Sequence, residues 1–220
     1  GPEAIEVAGL LRLTKNTNSE VLQAFLDGLV GGWDSSLKPR LTSGDRASLN
    51  NLIEGLALHA QDALLALAQK WEILGLFQGS AESVRNQLRI QLTGNGQSDA
   101  NRLSAAGRLI RLEDGKETIE AILGVIDLAT PVDLAVGLIR ELGQSRSEDV
   151  VSGLAKAWER FTPATRRSAV NVMLMRFDWT MSMLSAIGKG DIPKSELSAS
   201  EWQQLIYSKN TTIQLRAGNM

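Results

Sequence analysis

"TPVDLAVGLIRELGQSRSEDVVSGLAKAWERFTP", residues 130–163, decides the fold. A Thr-Pro pair opens the stretch and another closes it, 32 residues on. Threonine is a good N-cap, and proline suits the first helical position, where its missing N–H is not needed. The pairs therefore predict helix starts at Thr130-Pro131 and Thr162-Pro163. Between them the apolar residues recur at i, i+3, i+4 and i+7: Ala135, Leu138, Ile139 and Leu142, then Val151, Leu154, Ala155 and Trp158. Each set is one stripe on a helix. Ser147 precedes Glu148 and Asp149, an N-cap followed by acids that favour a helix N-terminus. One helix pair thus fills the interval.

The same reading extends outward. Ile119, Ile122, Leu123 and Ile126 form an earlier stripe, and Val170, Met173, Leu174 and Phe177 a later one. Gly115, Gly143 and Gly188 are expected at helix C-termini as left-handed caps. Farther upstream, helices are expected near 3–13, 18–31, 45–58, 60–77, 80–93 and 98–113, with Thr17 and Glu20 as a capping box. The loops "GGWDSSLKPRLTSGD" and "TGNGQSD" separate them. At the other end Gly188 and Gly190 stop a helix, Pro193 prevents its continuation, and Ser198 with Glu201 forms the box that starts the next.

Five prolines avoid every helical period, and alternating β-branched runs are nearly absent, so the chain reads as all-α. Short helices recurring in pairs at about 32 residues point to an α-solenoid of HEAT or armadillo-like hairpins. The tetratricopeptide and ankyrin signatures are absent. Residues 1–60 are expected to form N-terminal helices, as an irregular cap, and 61–220 the repeats, in one continuous domain.

Bulk composition limits the function classes. Of 220 residues, 43% are hydrophobic and 22% charged, and the net charge is −2. Such a chain folds around a core. A phosphate-tracking duplex binder normally carries excess Lys and Arg, so nonspecific nucleic-acid binding is disfavoured. There is no cysteine, which removes disulfides, thiolate nucleophiles and cysteine-held metals. No apolar run approaches the roughly 20 residues of a membrane span. Gly1-Pro2 reads as a protease-cleavage scar, and no signal peptide is expected after it.

Chemistry-bearing residues are sparse. His59 is the single histidine, without the convergent ligands of a metal site. Gly94 and Gly96 lack the remainder of a phosphate loop. The neighbouring acids Glu113/Asp114 and Glu148/Asp149 sit at helix ends, where capping and solvation explain them. Asn210-Thr211-Thr212 matches a glycosylation sequon but reads as a helix start. No catalytic, cofactor-binding or metal residue is assigned. Partner recognition is placed on Trp33, the best exposed tryptophan candidate, and on Arg102, Arg108 and Arg111; Arg108 and Arg111 share a helix face. Arg166 and Arg167 are further members of that basic set. Trp158, Trp179 and Trp202 fall on apolar stripes and are expected in the core.

Residues 162–217 carry a resemblance. The Thr-Pro start, Trp179, Leu184, Ile187, Gly190, Ile192, Pro193, Leu197, Leu205, Ile213, Arg216 and Ala217 resemble the end of the HEAT-like region of planctomycete and verrucomicrobial haem-binding proteins, also described as membrane-bound-dehydrogenase-like. The likeness is looser from about residue 98. In that family a β-propeller, helical repeats and a cytochrome c domain follow one another. The resemblance implies a noncatalytic spacer or interaction module, protein partners, haem c in a neighbouring domain, and an exported or periplasmic setting. The family's Cys-x-x-Cys-His motif is absent here, so no haem ligand is carried over. A HEAT-like nucleic-acid-binding repeat and a stand-alone protein-binding solenoid are the alternatives.

Overall fold

The computed structural model describes residues 19–34, 36–39 and 41–220. The expected helix at 3–13, and Thr17 of the capping box expected to open the helix near 18–31, lie outside them. Every element among the described residues is helical, and none is a strand. None of these helices is long and apolar enough to cross a membrane. The chain divides into two compact units, residues 1–88 and 89–220.

In the first unit, α1 (Ser19–Gly32) packs on α3 (Leu58–Lys70), as does α2 (Ser43–Glu54). Thr42 and Asp45 cap α2 reciprocally, in a box opening on a loop. α3 is buried from Ala60 to Ala68 except for Gln61, so this alanine- and leucine-rich helix forms the centre of the unit. The single helix expected at 60–77 is two elements. Glu72 adopts a left-handed φ of 62°, Ile73 N–H donates back to the Ala68 carbonyl, and a 3₁₀ turn follows at Leu74–Phe77. No glycine or proline marks that stop. α4 (Gln78–Thr93) follows it, and the division between units falls within this helix.

The second unit contains α5 (Asp99–Leu112), α6 (Lys116–Gly124), α7 (Val132–Leu142), α8 (Asp149–Ala157), α9 (Pro163–Met173), α10 (Phe177–Lys189), α11 (Ala199–Ile206) and α12 (Thr211–Gly218). They stack in two rows. α5, α7 and α9 pack in sequence, and α6, α8, α10 and α12 form the second series. The expected stripes form the core between them: Ile119, Ile122, Leu123, Ile126, Ala135, Leu138, Ile139, Leu142, Val151, Leu154, Val170 and Met173 are all buried. Three positions depart from expectation, Leu174 among them, which is half-buried where α9 ends. Ala155 is half-buried, and Phe177 is exposed because it begins α10 rather than continuing α9.

The caps hold in part. Thr162 accepts from Thr165 N–H with Pro163 next in the helix, and Ser198 with Glu201 closes the expected box. Thr130 does not cap α7. Its hydroxyl bonds the Val125 carbonyl and Asp127, and Pro131 takes the N-cap position. Gly115 precedes α6 instead of ending α5, and Gly143 is right-handed. Gly188 lies inside α10; the left-handed cap is Gly190, at φ 87°.

Internal glycines set the spacing of the rows. A Cβ on Gly153 of α8 would come to 2.9 Å from Leu123 Cδ1 and 3.0 Å from Ile119 Cγ2 on α6. On Gly137 of α7 it would come to 2.6 Å from Leu103 Cδ2 on α5. Backbones approach closely where the side chain is missing.

Candidate functional site

The sequence-predicted recognition residues fall in both units, Trp33 in the first and Arg102, Arg108 and Arg111 in the second. Trp33 is half-buried rather than openly exposed: it packs edge-on against Trp71 with ring centroids 5.2 Å apart, and its indole N–H donates to the Leu37 carbonyl at 2.8 Å. Lys70 crosses beneath it, donating to the Val30 carbonyl at 2.5 Å at the end of α1. This is a helix C-terminus satisfied by a cation. Arg108 is 4% exposed, amid buried Ala105, Leu109 and Leu112, so Arg102, Arg108 and Arg111 do not line one solvent face. Arg102 is half-buried and donates from Nε to the Leu92 carbonyl at 2.9 Å; Arg111 is exposed.

Arg166 ion-pairs with Glu196 at 2.9 Å and lies 6.0 Å from the Trp158 ring centroid. Arg167 donates from Nη1 to both Glu201 oxygens, at 2.8 and 2.7 Å. Trp158 and Trp179 are buried as expected, whereas Trp202 is half-buried with its N–H on the Lys194 carbonyl. His59 is exposed. Among the described residues no three His, Asp or Glu side chains gather as a metal site requires.

What the structure does assemble is a ladder along the turns that join the two rows. Asp114, after α5, accepts from Ser145 Oγ at 2.5 Å and from Arg146 N–H at 2.6 Å, after α7. Arg176, after α9, donates to the carbonyls of Ser145 at 2.5 Å and Gly143 at 3.1 Å. Its guanidinium lies 4.2 Å from the centroid of the Trp179 ring. Three successive turns are thus tied through one buried serine. Asp114 was legible only as a helix-end acid, because its partners lie 31 and 32 residues away.

Two kinds of groove open between stacked helices. On the second row, a groove of about 640 Å³ runs between α8 and α10, with Lys156 and Lys189 beside Glu148 and Asp191. A smaller one, about 250 Å³, lies between α6 and α8 and shares Ser152 and Lys156 with it. On the first row, a groove of about 370 Å³ between α7 and α9 is lined by Val136, Arg140, Arg167, Asn171, Val172 and Met175, among others. Arg140, Asn171 and Met175 escaped the sequence reading; their signal is that they occupy the outward positions beside the apolar stripes.

Glu141 and Glu201 have titrations displaced in opposite directions. Burial pushes Glu141 above the ordinary glutamate value, opposed by Arg111 and by the Gln144 amide. Burial also acts to raise Glu201, but the Ser198 bonds and Arg167 together outweigh it and hold it below the ordinary value.

Comparison of the chain with protein-family models, curated proteins and solved structures finds no match. The functional reading therefore stands on the packing, the ladder and the grooves.

Proposed function

We infer that the second unit is a HEAT-like α-solenoid and works as a noncatalytic scaffold that binds protein and fixes the spacing of what it joins. The observation that carries this is the two-row stacking in which α5, α7 and α9 pack in succession along one row and α6, α8, α10 and α12 along the other. Such stacks hold their ends at a set separation and present inter-helix grooves as contact surface. The Asp114–Ser145–Arg176 ladder stiffens the turns in the same direction.

The arginines weigh against a nucleic-acid track. Arg102, Arg166, Arg167 and Arg176 are engaged with protein acceptors, and Arg108 is buried. A phosphate-binding strip would keep its cations facing solvent. The haem-protein setting rests on the likeness of residues 162–217; a Cys-x-x-Cys-His motif encoded beyond residue 220 would support it, and an unrelated domain there would remove it.

The absence of cysteine makes the scaffold reading directly testable with spin labels. Exposed Ser104 on α5 and Gln214 on α12 are replaced by cysteine and labelled. A rigid scaffold gives one narrow distance distribution by electron–electron double resonance. A broad distribution would reject the spacer function.

A further inference from the structure

The grooves of the second unit differ in charge. The α8/α10 groove balances Lys156 and Lys189 against Glu148 and Asp191. The α7/α9 groove has Arg140 and Arg167 as its ionisable lining and no acid at all. That asymmetry selects the α7/α9 groove as the one with a definite ligand chemistry.

Its parts are arranged for an extended acidic chain. Arg140 is exposed on α7 and has no ion-pair partner among the described residues. Arg167 uses only Nη1 on Glu201, which leaves Nε and Nη2 as donors. Glu201 is itself held by the Ser198 N–H and hydroxyl, each at 2.7 Å, so the guanidinium is fixed before any ligand arrives. Asn171 lies four residues along α9 from Arg167, on the same face, and offers an amide donor and acceptor that match a peptide unit. Met175 is 64% exposed and ends the groove beside buried Val172. A thioether there gives an adaptable apolar seat.

We propose that the α7/α9 groove binds an acidic, apolar-containing segment of a partner protein. Ligand carboxylates pair with Arg140 and Arg167, its backbone bonds Asn171, and an apolar side chain rests on Met175 and Val172. The proposal rests on the scaffold reading and names the surface and partner chemistry for it. A single-stranded nucleic acid also carries negative charge, but the groove lining contains no aromatic ring on which bases would stack.

The test is a random-peptide display selection against the intact protein, followed by synthesis of the enriched peptides. The expected peptides place Asp or Glu next to an apolar residue, bind more weakly as salt rises, and shift the Met175 methyl resonance. Arg140→Glu lowers their affinity by about tenfold or more. Asn171→Ala weakens it less, and Lys156→Glu, in the other groove, leaves it unchanged. Circular dichroism checks that each variant is folded. No enrichment, enrichment without acidic residues, affinity insensitive to Arg140→Glu, or equal competition by a single-stranded oligonucleotide would each overturn the proposal. A failed selection beside a narrow spin-label distribution removes this groove and leaves the scaffold, whereas a broad distribution removes the scaffold itself.

Discussion

The Ser145 hydroxyl donates to the Asp114 carboxylate across 31 residues, and the same serine's carbonyl accepts from Arg176. One side chain and one peptide group thereby join three turns. Ser145 is fully buried, so loss of Asp114 leaves its hydroxyl proton and the Arg146 N–H without that acceptor, while the oxygen still accepts from Ser147 N–H at 3.0 Å. Asp114→Ala is expected to cost about 1–3 kcal/mol in urea unfolding. Ser145→Ala, which removes the donor instead, should cost less.

Arg176 makes two carbonyl bonds and covers Trp179, a combination that lysine's single ammonium cannot reproduce. Arg176→Lys is expected to lower stability by about 1–2 kcal/mol. Near-ultraviolet circular dichroism should register the changed Trp179 environment. An unaltered midpoint and spectrum would refute the role of the bidentate contact.

Glycine to alanine should have opposite signs at two helical positions. Gly28 of α1 has nothing within 4 Å of a Cβ, so Gly28→Ala gains about 0.5–1 kcal/mol from backbone entropy. At Gly153 the added carbon meets Leu123 and Ile119, both buried, so Gly153→Ala should lose about 1–3 kcal/mol. Thermal unfolding of the two variants decides it.

The displaced carboxylates predict opposite pH effects. Glu201 titrates below its ordinary value in the folded chain, so its contribution is present above that value and is lost as pH falls through the folded one. Glu201→Gln should therefore be less stable than the parent at neutral pH, by under about 1 kcal/mol given its exposure, and the gap should close in acid. Glu141 titrates above its ordinary value because burial disfavours its charge. Its folded form holds a proton longer, so stability falls as pH rises through that window. Glu141→Gln should be the more stable at neutral pH and indistinguishable in acid, by denaturant titration at both.

Much of the helical pattern was legible because it is local. The stripes through Leu138, Leu154 and Val170 depend on spacings of three and four, and Thr162-Pro163 and Ser198–Glu201 depend on neighbours within one turn. What escaped lies between turns. Asp114 read as a cap because Ser145 is distant in sequence, and Arg108 read as a surface cation because charge was weighed above its place among Ala105, Leu109 and Leu112. Thr130 was misassigned since its hydroxyl finds Val125 and Asp127 before the helix it precedes. The helix stop at Glu72 had no glycine or proline to announce it. Gly137 and Gly153 were passed over, although glycine inside a helix usually has a steric reason, and here both sit against a neighbouring helix's side chains.

Hydrogen exchange of the Arg176→Lys protein tests the stacked-repeat account most directly. In a solenoid each pair depends on its neighbours alone. Protection should fall in α9, α10 and the helices packed on them, while α5 and α6 keep that of the parent. Uniform loss from α5 to α12 would mean one indivisible core, and would contradict it.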